Sequence, residues 1–419
     1  MKYGLIGERL GHSFSKEIHA YLADYEYELC EIMPHKLHDF LSAKDFLGIN
    51  VTIPYKQDVI PYLDWIDDAA KEIGAINTVI NRDGKLYGYN TDYMGIKALI
   101  AHAGIDVRGK KAMILGSGGT SKTATVALRS LGADKILKVS RTDKNGAITY
   151  DELYEKHRDA EIIVNTTPVG MYPNIHDCAI DISKFDRLCG VIDVIYNPIS
   201  TKLIQSARAR GIKAQGGLYM LVAQAAAASE LFLNKGQESN FDRIGKCYRQ
   251  IRAKKENIVF IGMPASGKST VGRMVAERLG RRFVDTDDLI THRIGMSISD
   301  FFKTEGEERF REIESEVIKE LADESSLVIA TGGGAVLKEE NVSALKYNGR
   351  LYFIDRPLNS LIPTEDRPLS SDRASIERRY EERYSIYCQS CDVHISADCD
   401  AEGVRDRVLE NFLNENLYH

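Results

Sequence analysis

The chain has no long apolar run, no excess of basic charge and no second C-x-x-C motif, and each absence removes a class of function. No stretch approaches the roughly 18 consecutive apolar residues a membrane span requires, so no membrane partner is expected. The opening MKYGLIGERLGHS lacks the apolar core of a signal peptide, and a cytoplasmic location is the expectation. Lys and Arg number 55 against 61 Asp and Glu, a formal charge of −6, which offers no global field for gathering nucleic acid. Seven cysteines in 419 residues fit a reducing compartment rather than a disulfide framework. Cys388 and Cys391 form a lone C-x-x-C followed by His394. A metal site needs more ligands than that, so the two read as small buried residues near a helix end.

What is present fits two to three domains, taking about 150 residues per domain as a guide. Hydrophobic content of 43% and charged content of 28% belong to a folded soluble chain. From Met113 onward short apolar strands alternate with helical stretches (AMILG, then SKTATVALRSLG, KILKVS, EIIVNTT, VIDVIY), the signature of a parallel α/β layer. Residues 1–100 form an earlier α/β unit, with KYGLIG and INVTIP as its clearest strands, and 101–217 a second. An Ala- and Leu-rich helix spans about Leu218 to Leu233. Phe241, Ile244, Tyr248 and Ile251 recur with helical spacing inside a basic segment, which predicts an amphipathic linker helix over 236–256 with a solvated basic face. A fresh strand at Asn257 opens a further α/β domain over 257–419.

That last domain starts with NIVFI, then GMPASGKS, then a helix. The order strand, G-x-x-x-x-G-K-[ST], helix is the context a phosphate loop needs, because loop and helix N–H groups converge on phosphate oxygens. Gly262, Ala265, Ser266, Gly267, Lys268, Ser269 and Thr270 would line a nucleotide's phosphates, with Lys268 at the β/γ oxygens and Ser269 on Mg2+. Asp285 and Asp287 stand two apart at the next strand end, and in an extended segment both carboxylates would face the same side. One would help hold the metal and the other would accept from an attacking hydroxyl. Alone, they would pass for an acidic turn with an N-cap. Phe310, Ile313, Val317 and Leu321 make a helical stripe, leaving Arg311 off it and free for an anionic ligand. Three glycines, 332–334, let backbone approach a ligand closely.

With these residues in view, the segment from about 257 closely resembles the shikimate kinases, through the GKST loop, the D-T-D strand end, GEERFREIE, the triple glycine and D-R-P-L. The resemblance implies a P-loop, nucleoside-monophosphate-kinase-like fold that uses ATP and Mg2+. It puts Asp285 near the metal and Asp287 at the acceptor hydroxyl of shikimate. Arg311, Gly333 and Arg383 would grip the substrate, and Arg367 would close over the phosphates from a lid. The lid run DRPLNSLIPTEDRPLSS is shorter than in many relatives, with Ile362 or Pro363 where an arginine commonly lies along adenine.

The N-terminal part carries GSGG at 116–119 after a strand, and its next strand ends in Arg141 and Thr142. An acidic residue there would suit NAD, whereas an arginine suits the 2′-phosphate of NADP. Ser13 and Ser15 share a face if their segment is extended. Lys56 follows the strand and proline of INVTIPYK, GAINT gives Asn77 and GYNTDYMG gives Asp92. Each alone would pass for a surface residue.

Together these motifs, with G-x-x-M-L-V-x-Q-A ending at Gln224, resemble the shikimate dehydrogenases over residues 1 to about 235. The resemblance implies two lobes: a shikimate-binding lobe of 1–100 completed by helix 218–235, and a Rossmann-like NADP lobe of 101–217. Lys56 and Asp92 become an acid–base pair for reduction of 3-dehydroshikimate by NADPH. Ser13, Ser15, Thr52, Asn77, Asp92 and Gln224 would position the substrate, with Tyr196 near its carboxylate. Gly116, Gly118, Gly119, Ser140, Arg141, Thr142 and Gly217 would contact the cofactor. Lys16 stands where proline is frequent and Ser140 where asparagine is frequent; neither change removes a catalytic group, and Ser140 leaves the strength of NADP selection open. A quinate/shikimate dehydrogenase with broader substrate range or NAD use is the alternative enzyme. A non-catalytic sensor built on these folds would be expected to lose Lys56, Asp92 or Lys268. The implied whole is a bifunctional enzyme of aromatic amino acid biosynthesis, acting on small molecules.

Overall fold

The computed structural model of the chain describes residues 1–10, 14–142, 146–234, 241–361 and 373–417. The chain divides into two compact units. One comprises Met1–Met171, Asp177–Tyr196 and Ser206–Ile251, and the other Tyr172–His176, Asn197–Gln205 and Arg252–His419.

The first unit is built on two sheets. One is six-stranded and mixed, in the order Tyr27–Glu31, Tyr3–Gly7, Gly48–Val51, Thr78–Arg82, Lys85–Tyr89, Trp65–Ile66. Tyr3–Gly7 pairs in parallel with both neighbours, and Thr78–Arg82 runs antiparallel to both of its own. The hairpin between Thr78–Arg82 and Lys85–Tyr89 turns at Asp83 and Gly84, with φ of 51° and 80°, the left-handed pair a tight hairpin requires. The second sheet has five parallel strands in the order Lys135–Val139, Lys111–Leu115, Ile162–Asn165, Gly190–Asp193, Lys213–Gln215. Its Val- and Ile-rich central strands are buried along nearly their whole length, as layers covered on both faces must be. Chain direction across the sheet reverses between Lys111–Leu115 and Ile162–Asn165, and such a switch point opens a crevice at the strands' C-terminal ends.

Two helices, Thr91–His102 and Leu218–Phe232, pack together within this unit. They share a core with the helix Phe241–Lys255, whose Ile244, Cys247, Tyr248 and Ile251 are all buried in it. Three of these four belong to the apolar stripe read from the sequence. Among the described residues no helix is long and apolar enough to cross a membrane.

The second unit contains one sheet of five parallel strands, in the order Arg282–Asp285, Leu327–Ala330, Asn257–Ile261, Gly349–Asp355, Val393–Ser396. The phosphate-loop strand, Asn257–Ile261, is central and fully buried. The stripe Phe310, Ile313, Val317 and Leu321 is buried against this sheet's core.

Candidate active sites

In the first unit Lys56 and Asp92 come together from distant elements. Lys56 follows the Gly48–Val51 strand, and its carbonyl accepts from Ile76 N at 2.7 Å. Asp92 sits in the first turn of the Thr91–His102 helix, whose N-cap Asn90 accepts from Tyr93 N at 3.2 Å. Lys56 Nζ donates to Asp92 Oδ2 at 2.6 Å, both side chains being about a quarter exposed. A half-buried ammonium steadied by one carboxylate can deliver a proton to a substrate oxygen.

The neighbouring polar groups are tied into one network. Asn77 Oδ1 accepts from Thr91 N at 2.6 Å and from the Thr91 hydroxyl at 3.2 Å. That hydroxyl also lies 3.5 Å from Gln224 Oε1, and Gln224 Nε2 donates to Leu221 O at 2.9 Å. Thr52 N donates to Ile6 O, which places Thr52 at the mouth of the same sheet. Ser15 opens the helix Ser15–Leu22, so at this residue the chain is helical rather than extended. Ser13 lies outside the described residues. Tyr196 packs edge-on against Phe14 at 5.7 Å, and burial raises its phenol above the usual range.

The crevice of the parallel sheet carries the glycine turn. Gly116 has φ of 109°, and a Cβ on it would stand 2.8 Å from Thr166 Oγ1, so only glycine fits. Gly118 and Gly119 have negative or unremarkable φ and open space where a Cβ would go. Neither packing nor backbone conformation demands glycine at 118 and 119; the open space in front of the helix N-terminus would admit a phosphate. Arg141 and Thr142 are exposed just past the adjoining strand, and Ser140 N is held by Ile148 O at 2.9 Å. Gly217 caps the Leu218–Phe232 helix so close to Val194 that a Cβ would meet its carbonyl oxygen at 2.0 Å. It is a packing glycine as well as a candidate cofactor contact.

In the second unit the loop Gly262–Gly267 leads into the helix Lys268–Leu279. Lys268 is buried, and its ammonium donates to Gly262 O at 3.0 Å and Met263 O at 2.8 Å, across the loop it would bridge to phosphate. Ser269 Oγ donates to Asp285 Oδ2 at 2.6 Å. Among the described residues no group of three or more His, Cys, Asp and Glu could hold a metal. A hydroxyl beside one carboxylate is nevertheless the donor set that suits Mg2+, which takes its remaining ligands from phosphate and water. Asp285 also caps the helix Thr286–Ile294 by accepting from Asp287 N at 3.0 Å, so Asp287 stands in the first helical turn and not in the extended segment expected from the sequence; the capped acidic turn is what forms.

The acceptor side closes around the triple glycine. A Cβ on Gly332 would stand 2.7 Å from Asp287 Oδ1 and 3.0 Å from Glu314 Oε1, and one on Gly334 would meet the Arg311 guanidinium at 2.2 Å. Gly333 O accepts from Arg383 Nη1 at 3.2 Å and from the Tyr387 hydroxyl. Asp287, Arg311, Gly333 and Arg383 therefore surround one spot. Arg311 differs from its sequence reading. It is paired to Glu314 at 2.8 Å and Glu307 at 3.0 Å, because those carboxylates stand three and four residues away on the same helix. Arg367 lies outside the described residues, as do Ile362 and Pro363.

Several buried polar residues beside these groups carry no motif of their own. Glu314 is buried, with Oε1 lacking a partner, and burial raises its carboxyl although Arg311 works against that rise. Its only sequence signal is the three-residue spacing from Arg311. Asn50 accepts from the Tyr27 hydroxyl at 2.7 Å and donates to Thr78 Oγ1 at 3.0 Å, beneath Asn77. Asn165 Nδ2 donates to Asp193 Oδ1 at 3.1 Å where two strands of the parallel-sheet crevice end. Cys388 is exposed and Cys391 half-buried, so the buried role expected for Cys388 is not met. All seven cysteines are free.

Residues 5–79 match the shikimate dehydrogenase substrate binding domain, and residues 264–414 match shikimate kinase. A shikimate dehydrogenase (NADP(+)) of Clostridium beijerinckii is 42% identical over 247 residues, covering 55% of this chain and 91% of the relative. One of Clostridium perfringens is 37% identical over 267 residues, covering 58% and 98%. The crystal structure of shikimate dehydrogenase 1 from Peptoclostridium difficile superposes with a TM-score of 0.53 at 37% identity, over 60% of this chain and 98% of that one. The Thermus thermophilus shikimate 5-dehydrogenase in complex with NADP(H) and shikimate gives 0.54 at 28% identity, over 60% and 99%. The chain belongs to the shikimate dehydrogenase family in its N-terminal part and carries a shikimate kinase domain after it.

Proposed function

We propose that this chain is a bifunctional enzyme that reduces 3-dehydroshikimate to shikimate with NADPH and then phosphorylates shikimate with ATP and Mg2+. The observation that carries the reading is the presence of two separate sets of chemical groups on one chain. They are the Lys56–Asp92 pair at 2.6 Å beside a glycine turn, and a phosphate loop whose Ser269 meets Asp285 at 2.6 Å.

In this reading residues 1–100 with helix 218–235 bind shikimate, 101–217 bind NADP, 236–256 link the halves and 257–419 form the kinase. NADPH supplies the hydride and ATP the phosphoryl group. Lys56 gives its proton to the ring oxygen as the ketone is reduced, and Asp92 holds the ammonium in place and orients the substrate hydroxyl. Ser13, Ser15, Thr52, Asn77 and Gln224 offer uncharged hydrogen bonds to the ring, and Arg141 faces the 2′-phosphate. In the kinase Asp287 accepts the acceptor hydroxyl's hydrogen bond, while Arg311 and Arg383 take the substrate carboxylate through forked contacts. Lys268 stabilises charge on the transferring group, and Arg367 does so from the lid. Seven free cysteines suit a cytoplasmic setting. The test is a coupled assay with 3-dehydroshikimate, NADPH and ATP that follows each cofactor separately. NADPH oxidation without any ATP consumption on supplied shikimate would refute the kinase half, and the converse would refute the dehydrogenase half.

A further inference from the structure

Arg356 is the first residue after the Gly349–Asp355 strand, in the first of two D-R-P-L runs. That strand flanks the central phosphate-loop strand on one side, and Leu327–Ala330, which leads to the triple glycine, flanks it on the other. Arg356 thus borders the loop on the side away from Asp287 and Gly333. Its Nε donates to Ser266 O at 3.1 Å, and its Nη2 stands 3.6 Å from where a Cβ on Gly267 would be. The adjoining carboxylate is engaged elsewhere: Asp355 Oδ2 accepts from the Tyr384 hydroxyl at 3.0 Å and pairs with His394 Nε2 at 2.8 Å. Among the described residues Arg356 has no ion pair and no further hydrogen bond, and it is only partly exposed.

A half-buried guanidinium without a counter-ion costs free energy that an anion would offset. One N–H fixed on the loop carbonyl pre-orients the rest of the fork, and a fork matches phosphate oxygens. We infer that Arg356 is a nucleotide-binding residue, clasping the phosphate chain of the bound nucleotide from the side opposite the acceptor. The inference rests on the kinase reading of the GMPASGKS loop. It adds to the loop's backbone amides and Lys268 a second fixed cation, anchored on the loop itself.

The test measures ADP binding in Mg2+ by calorimetry, together with kinase kinetics, on the full chain. Arg356→Ala should weaken ADP about tenfold or more and raise KM for ATP and GTP alike, with KM for shikimate within about twofold of wild type. Arg356→Lys should keep part of the affinity. Arg356→Gln retains a neutral donor for the Ser266 carbonyl and should behave like Arg356→Ala. ADP affinity unchanged in Arg356→Ala, or restored in Arg356→Gln, would reduce the residue to a loop brace and overturn the inference. A wild-type protein that bound no ADP would bring down the nucleotide site as a whole, a result distinct from either of those.

Discussion

Lys56 Nζ reaches Asp92 Oδ2 at 2.6 Å across 36 residues of chain, and the contact joins a loop after a parallel strand to the first turn of a helix. Neither element can hold this geometry alone. The ammonium is fixed because Ile76 N binds the Lys56 carbonyl and Asn90 caps the helix that carries Asp92.

The two chemistries should therefore separate by single substitutions. Lys56→Ala removes a positioned proton donor, worth about 10²–10⁴ in rate. NADPH oxidation should fall by that order while phosphorylation of supplied shikimate stays within about twofold. Lys268→Ala should do the reverse. Loss of both reactions from either change, in a protein that still folds, would contradict two independent sites.

Cofactor choice should rest on Arg141, which is exposed at the end of the strand beside the glycine turn. A charge-assisted contact to phosphate contributes about 1.5–3 kcal/mol, or roughly tenfold to a hundredfold in affinity. Arg141→Ala should weaken NADPH by that factor and leave NADH nearly unchanged in steady-state KM. Equal losses with both cofactors would remove Arg141 from the reading of the 2′-phosphate.

His19 should make the first unit acid-sensitive. Burial lowers its imidazole from the usual 6.5 to about 3, with a hydrogen bond to Asn50 opposing the fall. Between those values the unfolded chain takes up a proton that the folded chain refuses, so stability is complete above about pH 6.5 and is lost as pH drops. The slope is about 1.4 kcal/mol per pH unit, or about 2 kcal/mol between pH 6.5 and 5. His19→Phe should flatten the pH dependence of the urea midpoint over that range. An unchanged slope would assign the acid sensitivity to other groups.

Much of this molecule is legible in its sequence because its key signals are local. Strand, glycine turn and helix succeed one another at Gly116 and Gly262, and one periodicity buries Phe310, Ile313, Val317 and Leu321. The hairpin at Asp83–Gly84, not among the elements read from the sequence, carries an equally local signal in its Asp-Gly pair, both residues being left-handed. The supporting contacts are not legible. Tyr27 and Asn50 are 23 residues apart, and Asn165 and Asp193 are 28 apart. Nothing in either neighbourhood marks the partner. Arg311 shows the same limit in reverse. Its place off the apolar stripe is readable, but its capture by Glu307 and Glu314 depends on which side chains the fold buries beside it.

The lid should govern turnover more than base choice. Arg367→Ala should slow phosphoryl transfer by about 10²-fold or more with every nucleotide, because it withdraws charge from the transferring group. With Ile362 or Pro363 where relatives commonly carry an arginine, GTP should support the kinase within about tenfold of ATP, a gap of about 1.4 kcal/mol. A strict ATP requirement, or full activity in Arg367→Ala, would refute the respective half of this expectation.

Glu314 should prove to be a positioning residue for the acceptor. Its side chain is 1% exposed and bonds Arg311 at 2.8 Å, while its second oxygen faces Gly332 without a partner. Removing one member of such a buried pair costs about 3–5 kcal/mol, because the other charge is left uncompensated. Glu314→Ala should lower the melting temperature of the kinase unit and raise KM for shikimate, since Arg311 would then swing between Glu307 and the substrate carboxylate. KM for ATP should stay the same, because among the described residues Glu314 bonds Arg311 and makes no hydrogen bond to the phosphate loop. Glu314→Gln keeps the hydrogen bond and the volume, so it should recover most of the stability. It should recover less of the shikimate KM, because the neutral amide no longer holds the guanidinium by charge. If ATP and shikimate KM rose together in Glu314→Gln, the residue would be serving the fold alone.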